Sequence, residues 1–260
     1  MNDIFEGHPL FRAIPQRRVI DKLDEYMSRR DYAGAERHLL YWLEEARAGG
    51  DLRGELMLRN ELIGHCRKTG QREQALAHIE AALSLVERLG FAGTISAATT
   101  FVNAATALNA FGEDARALAL FERARPVYES SAATRPELLG GLYNNMALTC
   151  ASLGRYDETE ALYALAEGQM ARAPHGKLEI AITCLNLANL IEARDGLEAG
   201  ERRIYELAER AVALLDDPGL AHDGYYAFVC EKCVPTLEYY GWFADAGRLR
   251  EEAERIYGRS

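Results

Sequence analysis

Three asparagines recur at one position of three similar segments, and together they could recognise the backbone of a peptide. The segments are VNAATAL, NNMALTC and LNLANLI, and they contain Asn103, Asn145 and Asn186, spaced by 42 and 41 residues. Asparagine is unfavourable inside a helix because its amide competes for backbone groups, so its recurrence needs a reason. An amide carries both a donor and an acceptor, and a row of amides can therefore pair with the N–H and C=O groups of an extended chain.

A second chemical pattern is the pair of cysteines in CEKC, Cys230 and Cys233. Two thiols at this spacing can hold a metal or form a redox disulfide. The sequence has no second CxxC, and His222 is the only histidine nearby, so we predict that both cysteines pack in a helix core. It also lacks the GxxxxGK, HExxH and GxSxG motifs. We therefore predict that the protein is not an enzyme and has no catalytic residue, cofactor or metal site.

The elements that must position the asparagines follow a fixed repeat, marked by four glycines that stand 42 residues apart: Gly70, Gly112, Gly154 and Gly196. Small residues recur five and twelve positions after three of these glycines, at Ala75, Ala82, Ala117, Ala124, Thr159 and Ala166. A bulkier residue stands nine positions after each of them, at Ile79, Phe121 and Tyr163. A period of this length is typical of a solenoid built from helix pairs.

Two further units flank the glycine repeat, which gives about six helix pairs in an all-α chain rich in Ala, Leu, Glu and Arg. We predict a tail or short helix over residues 1–15, followed by a single solenoid over residues 16–260. Its approximate pairs are 16–50, 51–91, 92–132, 133–174, 175–217 and 218–260. Two of the later helices are predicted to begin near Thr134 and Asp217, because a capping side chain precedes a proline at both places.

The repeat resembles that of the tetratricopeptide repeat (TPR) family. The second-helix pattern of that family, Ala, Phe and Ala, matches residues such as Ala117, Phe121 and Ala124. The first helices match less well, because the family's tryptophan is missing and the period is 42 rather than about 34 residues. The resemblance covers nearly the whole chain and implies a right-handed superhelix like that of bacterial proteins made of such repeats alone.

The resemblance also implies a location for the asparagines, since the first helix of each TPR pair lines a concave groove. Related TPR-type proteins, including glycosyltransferase arms and peptide-pheromone receptors, bind peptides through such a row. Asn60 aligns with Asn144 rather than Asn145, and Lys232 takes the corresponding position in the last pair. We therefore predict these peptide-binding residues: Asn60, Asn103, Asn144, Asn145, Asn186, Asn189 and Lys232. The alternative is that the amides bond to neighbouring repeats and set the superhelix, and both interpretations can hold together.

The last helix pair is unusually aromatic: Tyr225, Tyr226, Phe228, Tyr239, Tyr240, Trp242 and Phe243. Terminal repeats are commonly atypical because they close the core, so a capping role is expected. The alternative is a homodimer or assembly scaffold formed through these helices. A third interpretation is a peptide-pheromone sensor. Because only about 15 residues precede the first predicted pair, such a sensor would act through a separate effector chain.

The formal net charge of −10 argues against binding to nucleic acid or to an anionic membrane surface. No apolar run approaches the ~20 residues that a membrane span needs. Five scattered cysteines in helical segments indicate a reducing compartment. We therefore predict a cytoplasmic, bacterial module that binds a protein or peptide partner.

Overall fold

A computed structural model of the protein describes residues 11–258, and within that range the chain forms twelve α-helices and no strands. The helices alternate as first and second members of six pairs. They are α1 Gln16–Ser28, α2 Tyr32–Ala48, α3 Leu52–Thr69, α4 Arg72–Arg88, α5 Ile95–Ala110, α6 Asp114–Ser130, α7 Pro136–Ser152, α8 Tyr156–Met170, α9 Gly176–Asp195, α10 Leu197–Leu215, α11 Gly224–Tyr239 and α12 Phe243–Tyr257. The prediction of an all-α fold with about six TPR-like helix pairs is confirmed. The tail predicted before residue 16 lies mostly outside the described residues.

The four repeating glycines make the turns inside four of the pairs. Gly70, Gly112, Gly154 and Gly196 all have positive φ angles, between 73° and 84°. A residue with a Cβ atom is strained in this left-handed conformation, and glycine is not, so glycine is the favoured residue just past a helix end. In the first pair Arg30 takes the corresponding place, with φ at 55°. The repeat of glycines in the sequence is therefore a repeat of helix-ending turns.

The helix start predicted near Thr134 is correct to within two residues but Thr134 is not its cap, and the start predicted near Asp217 is wrong. Helix α7 begins at Pro136 after Arg135, which makes no side-chain capping bond, and the Thr134 hydroxyl is buried without a hydrogen-bond partner. Helix α11 begins at Gly224, where the Asp223 carboxylate accepts from two backbone N–H groups. In both cases a residue with good capping chemistry lies outside the first turn, because the path of the loop decides which side chain reaches the free N–H groups.

The structure divides into two compact units, the first ending at Val127 and the second beginning at Tyr128. In the first unit, apolar side chains of α1, α2 and α3 form one buried cluster. In the second unit, side chains of α9, α10, α11 and α12 form a larger one, to which α8 adds Met170. The small and bulky residues that follow the repeating glycines are all buried in their own units. That residues 16–260 form a single continuous solenoid stays a prediction.

The aromatic residues of the last pair divide into three groups by burial. Tyr226 is buried in the core of the second unit, and its hydroxyl donates to the Glu252 carboxylate at 2.8 Å. Tyr240 and Trp242 are partly buried. Four others are exposed: Tyr225, Phe228, Tyr239 and Phe243. Closing the core therefore accounts for only part of this aromatic content.

Candidate functional site

A groove of about 710 Å³ opens along the first helices α3 and α5 in the first unit. Two of the predicted peptide-binding residues, Asn60 on α3 and Asn103 on α5, line it. The segment that joins α4 to α5 supplies Phe91 and Thr94 to the same groove. In this unit, the prediction that asparagines of successive first helices share one surface agrees with the structure.

The two amides of this groove are joined to each other. Asn60 Nδ2 donates to the Thr100 hydroxyl and to the Leu56 carbonyl, both at 3.0 Å. Asn103 Nδ2 donates to Asn60 Oδ1 at 3.2 Å. Asn60 therefore uses both of its N–H groups within the protein. The Asn103 side chain makes no other hydrogen bond among residues 11–258, so its carbonyl oxygen and second N–H can meet a ligand.

The second unit repeats the contact between asparagine and threonine on successive first helices. The Thr183 hydroxyl on α9 donates to Asn144 Oδ1 on α7 at 3.0 Å. Asn144 and Thr183 occupy the repeat positions that Asn60 and Thr100 occupy in the first unit, and Asn144 is only 8% exposed. The interpretation that amides bond to a neighbouring repeat therefore describes Asn60 and Asn144 fully, and it describes Asn103 in part through one N–H group.

Asn145 and Asn186 have different surroundings from Asn144. Both are half-buried, Asn145 on α7 and Asn186 on α9. Neither side-chain amide forms a hydrogen bond in the described part of the protein. The adjacent asparagines 144 and 145 thus have separate roles, because neighbouring helix residues point about 100° apart. Asn144 holds the next helix, while Asn145 keeps its donor and acceptor available.

The remaining predicted residues lie toward the last pair of the second unit. Lys232 is exposed, and its ammonium group lies 4.8 Å from the centre of the Phe228 ring. Burial raises the pKa of the Glu179 carboxyl, and the positive charge of Lys232 opposes that shift. Asn189 is exposed and accepts a hydrogen bond from the Tyr240 hydroxyl at 3.0 Å.

Three residues that line the first-unit groove were not predicted from the sequence: Arg53, Glu61 and Phe91. Glu61 is half-buried, and burial together with the nearby Asp24 carboxylate raises the pKa of its carboxyl. The Arg53 guanidinium lies over the Phe91 ring, 5.3 Å from its centre. Glu61 follows Asn60 directly, so the asparagine register could have pointed to it. Arg53 and Phe91 carry no repeat signal, because Arg53 lies about two helical turns before Asn60 and Phe91 lies in a loop.

The CEKC cysteines are core residues, as predicted. Cys230 and Cys233 are 0% and 1% exposed within the core of the second unit. Burial raises the pKa of the Cys230 thiol to about 11 and that of Cys233 to about 12. Thiols with such pKa values are poor nucleophiles near neutral pH. Among residues 11–258, no group of three or more His, Cys, Asp or Glu side chains is arranged to hold a metal ion.

No helix between residues 11 and 258 combines the length and the apolar character needed to cross a bilayer.

Comparison with known proteins gives one family match. The family model described as "Tetratricopeptide repeat" matches residues 55–130, which include most of α3, all of α4 to α6, and both asparagines of the first-unit groove. A comparison with curated proteins finds no match.

Two solved structures show the fold similarity. BtubC (BKLC) from P. vanneervenii is 19% identical with a TM-score of 0.56, and the match covers 89% of this chain and 91% of that one. A putative kinesin light chain from Podosopora anserina, with nearly identical TPR-like repeats, is 17% identical with a TM-score of 0.53. That match covers 78% of this chain and 95% of the other. At such identities the likeness concerns the fold alone.

Proposed function

Because residues 55–130 match the tetratricopeptide repeat model and the whole fold is built from TPR-like helix pairs, we propose that the protein is a non-enzymatic module that holds an extended peptide segment of a partner protein. Repeats of this family generally mediate protein–protein interactions. In our proposal Asn103 in the first unit, and Asn145 and Asn186 in the second, can each pair with the backbone of a bound peptide, while Asn60 and Asn144 fix the helices that present them. Lys232 provides a positive charge for an acidic group of the ligand.

The observation that carries this proposal is the Asn60–Asn103 contact in the groove of the first unit. Asn60 is fully engaged as a donor, so it holds the Asn103 amide in one orientation at the groove surface. A fixed amide loses less side-chain entropy on binding than a free one. The half-buried Glu61 carboxyl and the Phe91 ring add polar and apolar contacts beside it. In this groove, an amide that is held in one orientation and can pair with a peptide backbone thus lies beside both polar and apolar side chains.

Other features support a binding role in a reducing cytoplasm. Within residues 11–258, all five cysteines are buried and none forms a disulfide, which fits a compartment where disulfides do not form. The groove groups named above are amides, hydroxyls, a carboxyl, a guanidinium and an aromatic ring, and this mixture suits recognition of a peptide. The bacterial origin stays a prediction.

Peptide selection tests the function. A library of random peptides is selected against wild-type protein, and enriched peptides are then measured against Asn103→Ala. We expect Asn103→Ala to weaken binding about fivefold, because one backbone hydrogen bond contributes ~1 kcal/mol. Asn109→Ala is the matched control, since Asn109 lies on the same helix and is bonded to Asp114 rather than lining the groove. Equal binding by wild type and Asn103→Ala would refute the role of Asn103.

A second experiment tests whether the Asn103 amide bonds to the backbone of the peptide rather than to one of its side chains. Each backbone nitrogen of an enriched peptide is methylated in turn, which removes one N–H donor. One methylated position should weaken binding to wild type but hardly change binding to Asn103→Ala, because both changes remove the same bond. Equal losses in both proteins at every position would show that Asn103 contacts a side chain instead.

A homodimeric scaffold is the second candidate, favoured by the exposed aromatic residues of the last pair. Tyr239 and Phe243 are 66% and 69% exposed, which is unusual for side chains of this size. Sedimentation over a hundredfold concentration range distinguishes the two candidates. A monomer that binds peptide supports the module, whereas a dimer disrupted by Phe243→Ser supports the scaffold. A pheromone sensor is the peptide-binding module joined to an effector chain, so peptide selection bears on it too.

A further inference from the structure

A second cavity, of about 600 Å³, lies in the second unit between α10 and the end of α11. Four aromatic side chains line it: Tyr205, Tyr239, Tyr240 and Trp242. The two charged residues in its lining, Glu198 and Glu201, are both acidic and exposed. Pockets of ~300–1,000 Å³ are of the size that holds a small ligand or a short chain segment.

The tyrosines at the end of α11 are fixed by hydrogen bonds outside the cavity. The Tyr239 hydroxyl donates to Glu192 Oε1 at 2.6 Å, and the Tyr240 hydroxyl lies 2.8 Å from Glu192 Oε2. Tyr240 also bonds to Asn189, one of the predicted site residues. With both hydroxyl groups engaged by Glu192, the rings are held in place and a ligand need not order them.

A second pair of aromatic side chains also lines the cavity. The rings of Tyr205 and Trp242 lie 5.1 Å apart at an angle of 38°, and Trp242 packs against the core of the unit. Tyr205 is 55% exposed. An aromatic face carries partial negative charge, so several rings around one space favour a cation there. The carboxylates of Glu198 and Glu201 act in the same direction.

We propose that this cavity binds a lysine or arginine side chain of a basic segment of a partner protein. Cation–π attraction and the two carboxylates select the positive charge, and the apolar ring faces accept the alkyl part of the side chain. The cavity is larger than one ammonium group, which favours a side chain presented with its neighbours over a free small ion. The net charge of −10 adds a long-range attraction for a basic partner. This inference does not depend on the proposed groove in the first unit.

Trp242 can report the binding directly. The protein has two tryptophans, so Trp42→Phe leaves Trp242 as the only one. In that background we titrate acetylated and amidated pentapeptides GGKGG, GGRGG and GGQGG, and tetramethylammonium chloride. We expect saturable fluorescence changes with the lysine and arginine peptides, no change with the glutamine peptide, and binding that weakens with added salt.

Two variants and one control show whether the named residues form the site. Glu198→Gln with Glu201→Gln removes both charges and keeps the shape, and should weaken peptide binding about fivefold. Tyr205→Leu should weaken it about tenfold by removing an aromatic face. Tyr41→Leu is the control, because Tyr41 is a similarly exposed tyrosine of the first unit. Circular dichroism checks that each variant keeps its helices.

Three results would overturn the proposal. The first is no saturable change with either basic peptide. The second is binding of GGQGG as tight as that of the basic peptides, which would show that the cavity does not select a positive charge. The third is tighter binding of tetramethylammonium than of both basic peptides, which would assign the cavity to a free quaternary ammonium compound rather than to a partner protein.

Discussion

At the scale of single residues, the adjacent asparagines of α7 show how one helix divides two tasks. Asn144 accepts a hydrogen bond from Thr183, and both side chains are buried. Asn145 is half-buried and has no hydrogen-bond partner for its amide in the described structure. One residue thus contributes to stability, and its neighbour is available for binding.

This division predicts different effects of the same substitution at adjacent positions. Asn144→Ala should lower the free energy of unfolding by about 1 kcal/mol, because it removes one of the two acceptors of the buried Thr183 hydroxyl, the other being the Glu179 carbonyl at 2.9 Å. Asn145→Ala should change it by less than ~0.5 kcal/mol, as is usual for a residue without such contacts. Urea denaturation of both variants and wild type measures the difference. Equal losses would show that Asn145 is structural as well.

At the scale of helices and turns, the repeat depends on glycines at the turns. These glycines are needed for their backbone conformation and not because a side chain would clash with its neighbours. Gly154 has a φ of 73°, and a Cβ atom added there would meet no other atom within 4 Å. Gly168, inside α8, would also meet nothing within 4 Å but has ordinary helical geometry. The two positions belong to the same unit and differ only in backbone conformation.

Alanine at these two glycines should therefore have opposite effects. Gly154→Ala is expected to destabilise the protein by about 1 kcal/mol, because alanine is strained at positive φ. Gly168→Ala should stabilise it by ~0.5–1 kcal/mol, since glycine is unfavourable inside a helix. Thermal unfolding followed by circular dichroism gives both values. Destabilisation by both substitutions would indicate contacts that the structure does not show.

At the scale of the whole molecule, the buried thiols link stability to pH. Burial raises the pKa of Cys66 in the first unit and of Cys184 in the second to about 11, and that of Cys233 to about 12. In the unfolded chain a cysteine has a pKa of ~8.5. The unfolded state therefore loses these protons first. The stabilising contribution is complete below pH ~8.5 and is lost as pH rises toward the folded-state pKa.

We expect the free energy of unfolding to fall between pH 7.5 and pH 9.5. Cys233→Ala should reduce this slope by roughly 1 kcal/mol per pH unit near the upper end, because one titrating group has been removed. It will also lower stability at every pH, since it leaves a cavity, so the slope is the informative quantity. Urea midpoints at closely spaced pH values provide it. Parallel curves for wild type and Cys233→Ala would contradict this role of the thiol.

The sequence by itself determined the helix pairs, their turns and the small residues that allow close packing. These features follow from short-range rules, since a glycine turn and a helical period are visible within one repeat. It also indicated that Asn103 belongs to a groove, because the repeat register assigns each residue to a helix face.

Which asparagines form hydrogen bonds to another helix depends on how the helices pack in three dimensions. Asn60 and Asn144 find threonine partners about 40 residues away, and Asn103 and Asn145 do not, although all four are polar residues in similar helices. The burial of Glu61 and the aromatic cavity with Tyr205 likewise come from separate elements packing together. Hydrogen bonds and burial depend on distances between helices, which no residue pattern within a single helix records.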